Sequence, residues 1–402
     1  MQAWSLAKSP WIEPGARPRV IVTEGDDPYD NARRALRMFD LERARGKRVL
    51  LKPNAGRIFP PRSGVITEPL VVAAAIDAFR EAGAEVMVGD SPIVGVKKLE
   101  ALEASGIAAV ARARQCRLLD LDARPSVPVA LPGGRAIPSI KVCANVLEAD
   151  LVVSIPVMKC HMHTGVSLAI KNMKGCLWRR SKVDLHMLPA LGGSAEKSLD
   201  VAIADLSEAL VPQLALVDGT VGMEGLGPSA GNPKRLGVVV LSADGYAADA
   251  VSCALMGRQA HDIPHLRLGA ERGRGVIELD QLDVTPHDWR RLGASFAAPP
   301  DNLTIEFPGF TILDQNSCSA CQSTLLLFLK QHAPSLFDYF PQHQPIRVAI
   351  GKGHHELPEG TLCIGNCTLR HRERGIYVAG CPPVGSAILR AISQHAGKAT
   401  EE

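Results

Sequence analysis

TEPLVVAAAIDAFREAGA, residues 67–84, predicts a helix with its own punctuation. Thr67 is placed to cap it, Pro69 suits its first turn and Gly83 suits its end. KRVLLKPN (47–54) comes before it and reads as a buried strand ending in polar residues. EVMVGDSP (85–92) follows and reads as a strand running into a turn. Strand, helix, strand with so short a connection implies parallel strands and a right-handed crossover.

The same alternation continues along the chain. ADLVVSIPVMK (149–159) is a continuous apolar strand of the kind covered on both faces. VSLAIKNMKG (166–175) reads as a helix starting near Gly165, and SLDVAIADLSEALV (198–211) as an amphipathic helix with Ser198 as its cap. LALVDGT (214–220) and LGVVVLSAD (236–244) are further strands, and GYAADAVSCALMG (245–257) is a helix stopped by Gly257. The expected fold class is therefore α/β: an open, mostly parallel sheet flanked by helices. FAAPPDN (296–302) reads as a linker. It separates an α/β ligand-binding domain, 1–298, from a small C-terminal Cys-rich α/β unit, 303–402, which carries a helix at 323–333, strands at 346–351 and 375–380, and a terminal helix at 384–396.

Open α/β sheets bind ligands beyond the carboxyl ends of their strands. Polar groups recur there: Lys52 and Asn54, Asp90 and Ser91, Lys159 to His163, Asp218 and Asp244. The richest segment is KCHMHTGVSLAIKNMKG (159–175). His161 and His163 alternate, so an extended chain turns them to one side, where they suit acid–base chemistry. They would also suit a metal pair, but spacing fixes no third ligand. Lys159, Lys171 and Lys174, with Asn172 and a helix beginning beside Thr164, favour an anion. DGTVGMEGLGPSAGNP (218–233) reads as a glycine-rich loop in which Asp218 and Glu224 are candidates for a base or cation ligands. His161, His163, Lys159 and Asp218 are the catalytic candidates. Lys52, Asn54, Asp90, Ser91, Thr164, Lys171, Asn172, Lys174 and Glu224 are the candidates for ligand binding.

Bulk properties narrow the function. The 402 residues are 46% hydrophobic and 22% charged, ordinary globular composition with length for two domains. A net charge of +3 and 4% aromatics give no case for nucleic acid, either by a basic patch or by stacking. No apolar stretch is long enough to span a bilayer, and the first twenty residues lack the apolar core of a secretory signal. A cytoplasmic protein is expected.

The ten cysteines are unevenly placed. Cys116, Cys143, Cys160, Cys176 and Cys253 are scattered, whereas Cys318, Cys321, Cys363, Cys367 and Cys381 crowd the last quarter. In a cytoplasmic chain such crowding favours a metal over disulfides. Cys318 and Cys321 form a C-x-x-C pair, Cys367 ends a Gly-Asn turn, and Cys381 precedes two prolines, as cluster ligands often do. These four are expected to hold a [4Fe-4S] cluster, with Cys363 left buried and inert. Zinc is the alternative, since four thiolates also suit it. The second half of the set is spread over two loops and lacks the second C-x-x-C knuckle of a zinc ribbon.

LLKPN, VITEPLVVAAAIDAFREAGAEVMVGDSP, SIPVMKCHMHTGVSLAIKNMKGC, VDGTVGMEGLGPSAGNPKRLGVVVLSAD and AADAVSCALMG together resemble the domain of unknown function 362 family, known as iron–sulfur cluster-binding proteins, over roughly Arg48 to Gly257. The resemblance implies the fold and a cluster and names no substrate. Many relatives carry a ferredoxin module with two C-x-x-C-x-x-C runs. This chain has the sparser five-cysteine tail instead, so a two-cluster relay is not implied.

The functional expectation is an iron–sulfur redox enzyme, passing electrons from the cluster to an anionic small molecule or cofactor in the α/β cleft. No flavin or nicotinamide fingerprint is present, so a redox partner protein is a candidate electron source. One alternative is a non-redox enzyme or carrier for an anion, with a structural metal centre. The other is an electron-transfer subunit of a larger complex.

Overall fold

The structure, a computed structural model, describes residues 2–96, 99–299, 306–340 and 345–397. The chain divides into two units, Met1–Pro299 and Pro300–Glu402. The predicted linker 296–302 is described only as far as Pro299, and its remainder lies outside the described residues.

The first unit is built on a mostly parallel sheet of ten strands. In chain order the elements that matter are β1 (Arg19–Glu24), α1 (Pro28–Arg37), β2 (Arg48–Pro53), α2 (Pro69–Glu81), β3 (Glu85–Asp90), β4 (Arg117–Asp120), β5 (Leu151–Ile155), β6 (Val157–His161), β7 (Gly165–Ser167), α3 (Ala169–Asn172), α4 (Ser198–Leu206), β8 (Leu214–Glu224), β9 (Asn232–Ser242), α5 (Gly245–Leu255) and β10 (Asp283–Thr285). The main path runs β10-β1-β9-β8-β5-β2-β3-β4, with β6 paired to β8 and β7. On that path only β9 runs against its neighbours. Both faces are covered, as the apolar runs predict. Along β2, Val49 and Leu51 pack with Val71, Val72, Ile76 and Phe79 of α2, while Leu50 turns to the opposite layer with Ile203 of α4 and Val251 of α5.

Three local readings differ. Glu68, not Thr67, caps α2: its carboxylate accepts the Leu70 N–H at 3.5 Å. The Thr67 hydroxyl is drawn away to the Ile155 carbonyl at 2.6 Å. Ser198 is the first residue of α4, not its cap, and its hydroxyl donates to the Pro189 carbonyl. The predicted helix from Gly165 is instead strand β7, then the four-residue α3 and a 3-10 turn at Met173–Cys176. β7 pairs back on β6, Gly165 against His161 and Ser167 against Lys159, so pairing to a buried strand overrides helical spacing.

The glycine-rich segment is not a loop along most of its length. β8 runs on to Glu224 and turns back into β9 as a hairpin. Gly222 serves close approach: a Cβ there would lie 2.6 Å from the Met158 carbonyl oxygen and 2.8 Å from the Phe296 ring.

The second unit has four parallel strands in chain order: β11 (Phe310–Asp314), β12 (Ile346–Ile350), β13 (Thr361–Ile364) and β14 (Gly375–Val378). Helix α6 (Ser319–Leu336) follows β11, and α7 (Gly385–His395) ends the fold. Among the described residues no helix is long and apolar enough to cross a membrane.

Candidate functional site

The carboxyl ends of β2 and β3 and the strand β6 bring one polar network together. Lys52 Nζ lies 2.8 Å from Asp90 Oδ1 and donates to Asn172 Oδ1 at 3.1 Å. Asn172, on α3, returns its amide to the Lys52 carbonyl at 3.2 Å and to Ser154 Oγ at 3.0 Å. Asn54 Nδ2 reaches the same Asn172 oxygen at 3.4 Å, while its Oδ1 accepts from Lys159 Nζ at 2.6 Å. Lys159 also donates to the Val65 carbonyl at 2.8 Å. Lys52, Asn54, Asp90, Lys159 and Asn172 are thus joined in one hydrogen-bonded network.

Around this network sits an excess of positive groups. Burial, and then the charge of Lys171, hold the Lys159 ammonium pKa well below the ordinary lysine value. Burial does the same to Lys174, whose Nζ lies 2.7 Å from His186 Nε2. Lys171 is pushed down to about 7, again by burial. His161 is held down by burial, then by Lys171, His163 and His186. Its Nδ1 accepts the His163 backbone N–H at 3.1 Å, so the neutral ring carries its proton on Nε2 and offers a donor there, not a base. Arg57, half-buried in the loop after β2, acts electrostatically on Lys159 and His186. Buried cations that raise one another's cost of ionisation are stabilised by an anion among them.

Sequence reasoning missed Arg57, Lys182 and His186. Lys182 hydrogen-bonds to Ser91 Oγ, and Ser91 in turn donates to Asp122 at 2.6 Å, so Ser91 is bound into a buried ion-pair bridge. Neither Arg57 nor the 178–187 stretch shows periodicity or motif spacing that would mark it.

Other expected residues fall elsewhere. Thr164 serves its turn, donating to the Val166 carbonyl at 3.1 Å. The amino end of α3 offers no open anion site: Asp249 of α5 already accepts the Ala169 and Ile170 N–H groups at 2.7 and 3.0 Å. Asp218 is buried and accepts from the Glu68 and Thr220 N–H groups, and burial raises its pKa. Glu224 pairs with Lys234 at 3.0 Å and accepts the Ala297 N–H. Asp244 caps α5 at the opposite sheet edge, because β9 runs antiparallel, and lines a separate cavity of about 370 Å³ with Trp11, Arg19 and Phe39.

In the second unit the cysteines follow the carboxyl ends of parallel strands: Cys318 and Cys321 after β11, Cys367 after β13, Cys381 after β14. Cys318 and Cys321 share a hydrogen bond, and with N–H donors from Ala320 and Cys321 it lowers the Cys318 pKa to about 6. Cys321 is raised, first by that bond and burial, then by charge on Cys318, Cys367 and Cys381. Burial raises Cys367, and charge on Cys381 and Cys318 adds to it. Cys363 stands apart, buried, with its thiol on the Thr361 and His371 carbonyls. Among the described residues no three His, Cys, Asp or Glu side chains are grouped to share one metal ion.

Residues 49–254 match the family model described as Domain of unknown function (DUF362), and the chain belongs to that family. It is 30% identical over 269 residues to the thylakoid-associated protein sll1697 of Synechocystis sp., covering 65% of this chain and 79% of that protein. Among solved structures it is similar to the lactate racemase apoprotein from Thermoanaerobacterium thermosaccharolyticum, at 15% identity and a TM-score of 0.38, over 62% of this chain and 61% of that one.

Proposed function

We propose that this protein is an iron–sulfur redox protein whose α/β unit binds an anionic small molecule. One observation carries the iron–sulfur reading: Cys318, Cys321, Cys367 and Cys381 gather beyond three parallel strands and are electrostatically coupled, while Cys363 is not. Charge on the neighbouring thiolates disfavours ionisation of Cys321 and Cys367, and a positively charged iron–sulfur core relieves that cost. A [4Fe-4S] core binds each thiolate to its own iron, which suits four ligands from separate loops. When bound it supplies one-electron redox chemistry.

The chain's own residues do the rest. The cationic group at β2, β3 and β6 binds and orients the anion, and His161 Nε2 donates to it. A redox partner protein supplies the electrons.

A second reading is favoured by one fact: the family match ends at residue 254, so it contains the cationic group and none of the four cysteines. In that reading anion chemistry is the shared function and the metal centre is structural.

The test is anaerobic purification with iron and sulfide analysis. About four of each per chain are expected. Stoichiometric zinc without iron would overturn the cluster.

A further inference from the structure

We infer that Lys171 is a nucleophilic amine, and that the anion it meets carries a carbonyl group: a 2-oxo acid or a small anionic aldehyde. This rests on the reading that the cationic group binds an anion. The basis is a contrast among the lysines. Lys52 has Asp90 and Asn172, Lys159 has Asn54 and the Val65 carbonyl, Lys174 has His186, and Lys182 has Ser91 and the Leu177 carbonyl. Lys171 is 8% exposed and has no hydrogen-bond or ion-pair partner among the described residues.

It is also the centre of the group. Its charge acts on Lys159, His161, Lys174 and His186 alike. The only group acting electrostatically on Lys171 itself is Asp200, which is engaged with His265 at 3.2 Å. Among the described residues the fully enclosed, unpartnered side-chain nitrogens belong to Gln213, Arg258, His265 and Arg272, and the Lys171 Nζ is not among them. A lysine serving only as a counter-charge keeps its ammonium; this one lies where burial favours the neutral amine, the form that attacks carbonyl carbon, and no carboxylate among the described residues touches it to hold the charge.

The step balances without an outside oxidant or reductant. The Lys171 nitrogen lone pair forms a bond to the carbonyl carbon, giving a carbinolamine. The two amine hydrogens leave with the carbonyl oxygen as water, and the resulting imine takes up one proton to become an iminium. The carboxylate or phosphate of the same molecule is held by Lys159, Lys174 and Arg57. The iminium withdraws electrons from the adjacent carbon, so the reaction class is one that builds negative charge there.

The test is reductive trapping on the full-length protein with limiting glyoxylate and borohydride, followed by peptide mass mapping. One adduct per chain on Lys171 is expected, with inorganic phosphate competing against it. Lys171→Arg keeps the charge and should lower labelling by about 10-fold or more. Phosphate binding by calorimetry is read in parallel. Phosphate binding with no adduct on Lys171, or labelling spread over surface lysines that phosphate does not suppress, would overturn the nucleophile and leave the anion site standing. No phosphate binding would overturn the anion site itself.

Discussion

Lys52 and Asp90 form an ion pair, Nζ to Oδ1 2.8 Å, in which the two side chains are only 1% and 3% exposed. They sit at the carboxyl ends of neighbouring parallel strands, so the pair ties the sheet edge to the site. Removing one partner leaves an uncompensated buried charge. Lys52→Ala or Asp90→Ala should therefore cost about 3–5 kcal/mol in denaturant unfolding. Gly175→Ala should also destabilise, because a Cβ there runs into both Asp90 and Lys52. An Asp90→Ala protein within about 1 kcal/mol of the parent would show that the pair is not held as described.

Lys171 sets a pH dependence whose sign is fixed. Its pKa falls from 10.5 to about 7 on folding, so between those values the unfolded chain holds a proton that the folded chain lacks. Stability then rises with pH through that window, and the penalty is fully present below 7. Lys171→Met removes the penalty. The variant should be more stable than the parent near pH 6, and the gap should close towards pH 10. Urea midpoints across pH measure it, and a gap that does not change with pH would contradict the buried, unpaired amine.

Anion binding should weaken as salt rises, because the half-buried Arg57 and Lys174 remain open to screening. Arg57→Ala should lower phosphate affinity by about 10-fold, on the scale of one charged hydrogen bond. Calorimetry at two ionic strengths gives both numbers. Unchanged affinity in the variant would place Arg57 outside the site.

The second unit buries a small core, with Leu325, Phe328, Leu329, Val348, Ile350, Leu362 and Ile388 as its main members. Such a unit draws much of its stability from bound metal. Chelation should expose residues 306–397 to protease while the first unit stays intact. Equal resistance before and after chelation would show that the small core suffices.

Much of the α/β layout was legible because each strand and its following helix are local and strongly patterned. The sheet edge was legible too, since Lys52, Asn54, Asp90 and Lys159 each end or follow an apolar run. What was not legible depends on distant partners. The β6–β7 pairing turned helical spacing at 166–167 into a strand. The antiparallel return of β9 carried Asp244 to the wrong edge. Gly222 read as loop because its purpose, room for the Met158 carbonyl and the Phe296 ring, lies on other segments. Arg57 and His186 join the site through chain segments with no pattern of their own.

The most direct measurement is electron paramagnetic resonance of the anaerobically isolated protein after dithionite reduction, alongside the four cysteine-to-serine variants. The expected result is about one unpaired spin per chain, lost in C318S, C321S, C367S and C381S and kept in C363S. No spin in the parent together with one zinc per chain, or a signal lost in C363S and kept in C367S, would contradict the cluster and its ligands.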